Sequence, residues 1–159
     1  FHPNVKIVPV KSAGEMFEAC KGFVADADII VLCAAVADFT VKERADRKIK
    51  REKSDYALTL TPTQDIAAWV GANKRSETFL TGFALETNDE LENAKGKLKR
   101  KNLDMIVLNS MQDAGAGFRT DTNKITIITS DGNVDVYPLK TKKQVAADII
   151  DKMEKCSNA

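Results

Sequence analysis

The residues best able to do chemistry in this sequence are lysines and carboxylates, because the usual proton shuttle is missing. The only histidine is His2, close to the amino terminus. Ser-His-Asp and Cys-His catalysis within the chain are thereby all but excluded, together with His-based zinc sites. Chemistry falls instead to Lys, Asp, Asn, backbone dipoles or a cofactor. Lys97 and Lys101 are four apart, so on a helix they share a face beside the apolar stripe of Leu91, Ala94 and Leu98. Two cations next to a core can hold an anion, although the last turn of a helix also favours cations for its own sake. Arg47, Lys48, Lys50, Arg51 and Lys53 crowd a second stretch, and a solvated surface is the commoner reason for such a run. Asp38 and Glu86 each end an apolar run and could serve as ribose or metal ligands, or simply terminate strands. No GxxxxGK[ST] occurs, and Gly115-Ala116-Gly117 lacks the third glycine and the following helix of a dinucleotide fingerprint.

These residues need a scaffold, and the 159-residue length suits one domain with its own core. Lys and Arg number 24 against 23 Asp and Glu, so a net charge of +1 points to neither a nucleic-acid nor a membrane partner. No apolar run reaches the roughly 18 residues of a membrane span or opens the chain like a signal peptide. Cys20, Cys33 and Cys156 have no metal or redox spacing, which reads as reduced thiols of a cytoplasmic protein.

Residues 5–10 alternate Val and Ile as a short strand does, and Ser12 with Glu15 forms a capping-box pattern before a helix reaching about Ala25. Residues 28–37 (DIIVLCAAVA) form a continuous apolar run, as in a strand buried on both faces. Residues 38–55 read as a long polar loop. Residues 56–60 (YALTL) alternate as a strand. Thr61 could cap the next helix, with Pro62 at its first position and Gln64 at its third. An apolar strand at 78–85, a charged helix capped by Asn88, and a strand at 103–109 come next. Strands at 124–129 and 134–139 flank Asp131-Gly132, a hairpin signal, and a helix over 142–155 closes the chain. The alternation predicts an α/β fold: a Rossmann-like three-layer sandwich with a mostly parallel sheet and a C-terminal antiparallel hairpin. In such sheets ligands sit at the carboxyl ends of the strands. Ala34, Ala35, Asp38, residues 61–65, Gly82, Phe83, Glu86 and Asn109 all fall there, which suggests a nucleotide-sized crevice. Small residues at these points could equally serve helix packing.

At Ala34-Ala35-Val36-Ala37-Asp38-Phe39, followed by Lys48-Ile49-Lys50, the chain resembles the phosphopantothenate–cysteine ligases (phosphopantothenoylcysteine synthetases) of coenzyme A biosynthesis. Asp65-Ile66, Gly82-Phe83-Ala84-Leu85-Glu86-Thr87, Lys97, Lys101-Asn102-Leu103-Asp104, Asn109, Gly117-Phe118, Asp121 and Asn123 continue the match in order over essentially the whole chain. The resemblance implies ligation of 4′-phosphopantothenate to cysteine with CTP and Mg²⁺. The substrate carboxylate attacks the α-phosphorus, pyrophosphate leaves, and the cysteine amine displaces CMP from the acyl-cytidylate. Carried over, the catalytic lysine is Lys48. Nucleotide contacts fall at Ala34, Asp38, Thr61, Pro62, Thr63, Gln64, Phe83, Lys97 and Lys101, with Ala35 and Asn109 on the substrate side. The resemblance also implies a homodimer through residues 56–60 and the Asp131-Gly132 hairpin, and FMN only in a decarboxylase fused upstream.

Two departures stand out. The family places Pro directly before the helix-opening Asp, whereas Gln64 stands there and the proline is Pro62. The family's N-terminal part, with its catalytic asparagine, has no counterpart before Phe1. Residues 1–159 therefore read as an incomplete synthetase domain, a C-terminal piece expected to lack turnover on its own. The competing readings are a non-catalytic nucleotide-binding or dimerisation module and a nicotinamide oxidoreductase, the latter disfavoured by the missing GxGxxG.

Overall fold

In the computed structural model, which describes residues 2–51, 55–110 and 121–157, the first helix is α1 (Ala13–Lys21). Its start follows capping chemistry: Ser12 Oγ accepts from the Glu15 N–H at 3.2 Å, and Glu15 accepts from the Lys11 N–H at 2.7 Å. Strands β1 (Ile29–Leu32), β2 (Phe39–Val41) and β3 (Leu60–Pro62) precede α2 (Ile66–Asn73). Then come β4 (Phe79–Glu86), α3 (Glu90–Arg100) and β5 (Met105–Ser110). The chain finishes with β6 (Thr122–Asn123), β7 (Ile125–Thr129), β8 (Val134–Val136), β9 (Lys140–Thr141) and α4 (Lys142–Ser157).

The main sheet has the order β1-β4-β5-β7-β8. β1, β4 and β5 are mutually parallel, while β7 runs antiparallel to β5 and β8 antiparallel to β7. Gly132, at φ +93°, makes the β7–β8 turn in the left-handed region that glycine enters freely. Two smaller antiparallel pairs, β2–β3 and β6–β9, stand beside the sheet. One face buries Leu80, Ala84, Ile106 and Leu108 against Ile66 and Val70 of α2 and Ala94 and Leu98 of α3. Phe17 of α1 meets Trp69 of α2 edge-to-face, centroids 5.3 Å apart. The other face buries Met105, Val107, Ile125 and Ile127 under Val145, Ile149 and Met153 of α4. Helices on both faces of a largely parallel sheet are the architecture the alternation predicts.

Several elements differ from expectation. Residues 5–10 form no strand: Pro9 removes a ladder donor, and Val5, Ile7, Val8 and Val10 are exposed. The apolar run at 28–37 yields only the four-residue β1, which lies at the sheet edge rather than buried on both faces. Ile29 and Val31 are 45% and 43% exposed on its uncovered side, while Ile30 and Leu32 pack inward. β2 forms inside the supposed loop at 38–55, because Phe39 to Val41 find partners in Pro62 to Leu60. Of the strand expected at 56–60 only Leu60 joins a ladder. Thr61 does not cap α2, and Pro62 sits in β3. The cap is Asp65, whose Oδ1 accepts from the Ala68 N–H at 3.0 Å, as the resemblance at Asp65-Ile66 implies. Asn88 does not cap α3; Asp89 stands at that end with φ 44°, and Asn88 accepts from the Asn93 side chain through its carbonyl.

One contact fixes how the helices meet. A Cβ on Gly71 would lie 1.9 Å from the Lys101 carbonyl oxygen, so α2 and the end of α3 touch backbone to backbone there. Asn102, at φ 49°, seals the junction by donating from Nδ2 to the Gly71 carbonyl at 2.8 Å.

Candidate active site

The carboxyl ends of β1, β4 and β5 open into a cavity of about 480 Å³. Its first wall is the small-residue segment leaving β1, Cys33 to Asp38. Thr63 holds that segment in place: its hydroxyl donates to the Ala37 carbonyl at 2.6 Å and its N–H to the Asp38 carbonyl at 2.9 Å. The second wall is the start of α2, with Gln64, Asp65, Ile66 and Ala67. Gly82 to Leu85 of β4 form the floor, where a Cβ on Gly82 would press 2.7 Å from the Leu103 methyl. Asn109 of β5 and Lys97 and Lys101 of α3 complete the lining.

Both lysines face the cavity for the reason their spacing indicates: Ala94 and Leu98 are buried and turn the adjoining face of α3 inward. Each is met by a carboxylate. Lys97 pairs with Glu86 at 2.5 Å, and Lys101 pairs with Asp65 at 3.1 Å. Asp65 thus caps α2 and anchors the end of α3 together. Partial burial pushes its carboxyl upward. The hydrogen bonds from the Ala68 N–H and Lys101, the lysine's charge and the Ala67 N–H outweigh that, so the carboxyl lies below its ordinary range. The two other lysines of the helix look elsewhere: Lys95 pairs with Glu92, and Lys99 is exposed.

Ala34, Ala35, Asp38, Thr63, Gln64, Phe83, Lys97, Lys101 and Asn109 therefore share one cavity. Thr61 and Pro62 belong to β3 and do not line it; the lining on that side runs from Thr63 through Ala67. Lys48 is exposed in the segment between β2 and β3 and does not line the cavity either. Lys53 and the Gly115–Gly117 and Phe118 positions lie outside the described residues. Sequence reasoning missed the carboxylate partners of the two lysines and the role of Asn123, which donates from Nδ2 to Asn109 Oδ1 at 2.8 Å. The Asp65-Ile66 match was the available signal for the first; for the second, the match at Asn123 marks the residue but not its partner. Among the described residues no three His, Cys, Asp or Glu side chains gather to hold a metal, and no helix is long and apolar enough to cross a membrane.

An open, mostly parallel sheet covered by helices on both faces, with its cavity at the strands' carboxyl ends, defines a Rossmann-like α/β domain. The chain belongs to the DNA/pantothenate metabolism flavoprotein C-terminal domain family, whose model matches residues 1–156. It is 53% identical over 150 residues to a protein of unknown prokaryotic origin named cysteine/cysteine sulfinic acid decarboxylase, covering 94% of this chain and 42% of that one. It is 41% identical over 145 residues to the coenzyme A biosynthesis bifunctional protein CoaBC of Bacillus subtilis, covering 91% of this chain and 36% of that one. The chain thus spans about two-fifths of the length of these curated relatives. Among solved structures, the C-terminal domain of a CoaBC protein superposes with a TM-score of 0.76 at 37% identity, covering 96% of this chain and 68% of that domain. The resemblance drawn from the ordered motifs is borne out.

Proposed function

We propose that this chain is the synthetase part of a phosphopantothenate–cysteine ligase that activates 4′-phosphopantothenate with CTP and passes the acyl-cytidylate to cysteine. The observation that carries the reading is the cavity itself: in a member of this family, two lysines, a helix start and small β-strand residues converge at the sheet's carboxyl ends. A carboxylate has no usable leaving group and must first become a mixed anhydride, so charge builds on phosphoryl oxygens. Catalysis is then mostly positioning and charge neutralisation, which lysines and backbone N–H groups supply without histidine. Lys97 and Lys101 are assigned to the triphosphate, Phe83 and the Ala34 and Asp38 segment to the nucleoside. Ala35 and Asn109 are assigned to the phosphopantothenate side. Lys48 is assigned to the charge that develops at the α-phosphorus, reaching it when residues 42–51 lie over bound substrate.

The described residues do not gather a carboxylate cage for Mg²⁺. The ion is accordingly assigned to the nucleotide, which suits its preference for phosphate oxygens and water. FMN is assigned to a decarboxylase segment outside these residues.

If the lysines grip the triphosphate, Lys97→Ala and Lys101→Ala should each weaken CTP binding by about 1.5–3 kcal/mol, the range for hydrogen bonds to charged groups. Lys95→Ala and Lys99→Ala, on other faces of α3, serve as controls. Calorimetric titration with CTP, ATP and NADH, each with Mg²⁺, reads both the assignment and the class. Equal losses at all four positions would mean a diffuse field. Tight NADH binding without a response to CTP would overturn the ligase reading, as would carbon dioxide release from cysteine sulfinate, the activity in one relative's name.

We also propose a homodimer built on the β2–β3 ribbon and the β7–β8 hairpin. Phe39, Tyr56, Leu58 and Leu60 stand 56–67% exposed around the ribbon, and Val136 is 68% exposed on the edge strand. Edges and apolar faces of this kind call for a partner. Light scattering at micromolar concentration should give twice the chain mass; a stable monomer refutes the pairing.

A further inference from the structure

Asn109 looks at the cavity with an orientation imposed from outside it. Asn123 belongs to β6, whose pairing with β9 sets Thr122 opposite Thr141 and Asn123 opposite Lys140. That small sheet is tied to α4 by the ion pair of Lys140 with Asp148 at 2.7 Å, and the Lys142 N–H donates to the Asp121 carbonyl at 2.9 Å. Asn123 Oδ1 accepts from the Lys124 backbone N–H at 3.0 Å. A backbone N–H can only donate, so the amide of Asn123 has one orientation, with Nδ2 turned to Asn109. Asn109 must answer with its oxygen, which it does at 2.8 Å. Its own NH₂ group is thereby left as the end it can offer the cavity it lines.

We propose that Asn123 is a positioning residue that sets the polarity of the β5 corner of the cavity. It turns Asn109 to present a hydrogen-bond donor, and so selects a ligand bringing an oxygen acceptor there, carboxylate, amide carbonyl or phosphoryl. The relay from Lys124 N–H through Asn123 to Asn109 runs one way, and every link is fixed by the donor before it. Donors left facing a donor are costly, so a ligand that can present only N–H at this corner binds less well than one bringing an acceptor. The inference rests on the ligase reading for the identity of the ligand, which would be phosphopantothenate, but the orientation of the amides does not.

Asn123→Asp tests it by reversing the relay. A carboxylate accepts from the Lys124 N–H with one oxygen and demands a donor for the other, so Asn109 must turn its NH₂ away from the cavity. In ¹⁵N-labelled chain, the Asn109 side-chain NH₂ resonances should shift downfield and become protected from solvent exchange in this variant; unchanged resonances overturn the proposal. In calorimetry, Asn123→Asp should weaken 4′-phosphopantothenate binding by roughly 10- to 100-fold, the equivalent of one charge-assisted hydrogen bond, and leave CTP binding within about two-fold. In an Asn109→Ala background the same substitution should have no further effect on either ligand. Equal losses for both ligands, or a loss that persists without Asn109, would mean a merely structural residue and overturn the proposal. Wild-type chain that binds neither compound would sink the ligase reading, and the NMR comparison would then decide the relay by itself.

Discussion

Asp104→Ala is expected to lower stability by about 2–4 kcal/mol, short of the full cost of breaking a buried ion pair because the Asp104 side chain is 32% exposed. The Lys74 side chain is only 7% exposed, and its ammonium is held by Asp104 Oδ2 at 3.0 Å and the Thr78 carbonyl at 2.7 Å. The same carboxylate oxygen accepts from the Leu80 N–H at 2.7 Å. The Asp104 main chain bonds Leu80 on one side and Ser130 on the other, each at 2.9 Å. Truncation therefore leaves the ammonium with the Thr78 carbonyl but no counter-charge, and the Leu80 N–H without this acceptor, where β4, β5 and β7 come together. Against a typical total of roughly 5–15 kcal/mol the loss is a large fraction. Urea denaturation should move the midpoint accordingly, and adding Lys74→Met should recover much of the loss, because an apolar pair strands no charge. A shift below about 1 kcal/mol for Asp104→Ala, the size of an ordinary surface ion pair, would show that this pair is not the clamp its burial indicates.

Lys48→Ala, placed in a polypeptide active as a ligase, should reduce the rate of acyl-cytidylate formation by about 10²–10³ while changing CTP affinity little. Lys48 is exposed and stands outside the cavity lining. The role proposed for it is to meet the charge that develops on the phosphoryl oxygens. The corresponding loss is roughly 2–4 kcal/mol of barrier, as for a single electrostatic contact made in the transition state. Rapid-quench measurement of pyrophosphate release separates the step from binding. Near-normal rates, or a loss confined to CTP affinity, would remove Lys48 from the chemistry.

What could be read from the residues followed the reach of the forces involved. α3 and α4 came from helical spacing, and β4, β5 and the Asp131-Gly132 hairpin from short apolar runs and turn chemistry, all of which act over a few neighbours. The position of β1 did not, because an apolar run looks the same at a sheet edge as in its centre until its partners are known. The β2–β3 ribbon joins Val41 to Leu60 across a long polar stretch, and no local pattern announces it. At 61–65 two capping patterns compete, and the one read from Thr61 loses: Thr61 and Pro62 are paired with Thr40 and Phe39 in the β2–β3 ladder, leaving Asp65 to meet the helix. The cavity shows the same division. The shared face of Lys97 and Lys101 follows from four-residue spacing, whereas the carboxylates that meet them come from β4 and α2. The relay through Asn123 depends wholly on the fold.

The backbone contact at Gly71 has a mechanical consequence. With the Lys101 carbonyl against Gly71, Asn102 bonded to it and Lys101 bonded to Asp65, α2 and the carboxyl end of α3 move as one rigid body. Swinging one helix away from the other would have to break that backbone contact and the bonds beside it. The opposite wall is differently built: residues 33–38 are mostly small, lie beyond the last rung of an edge strand, and are held by the two hydrogen bonds of Thr63 and the packing of Val36 on the core. For the ligase proposed above, α2 and α3 would form the fixed jaw against which a triphosphate is held, and the segment leaving β1 would be the jaw that takes up differences in ligand size.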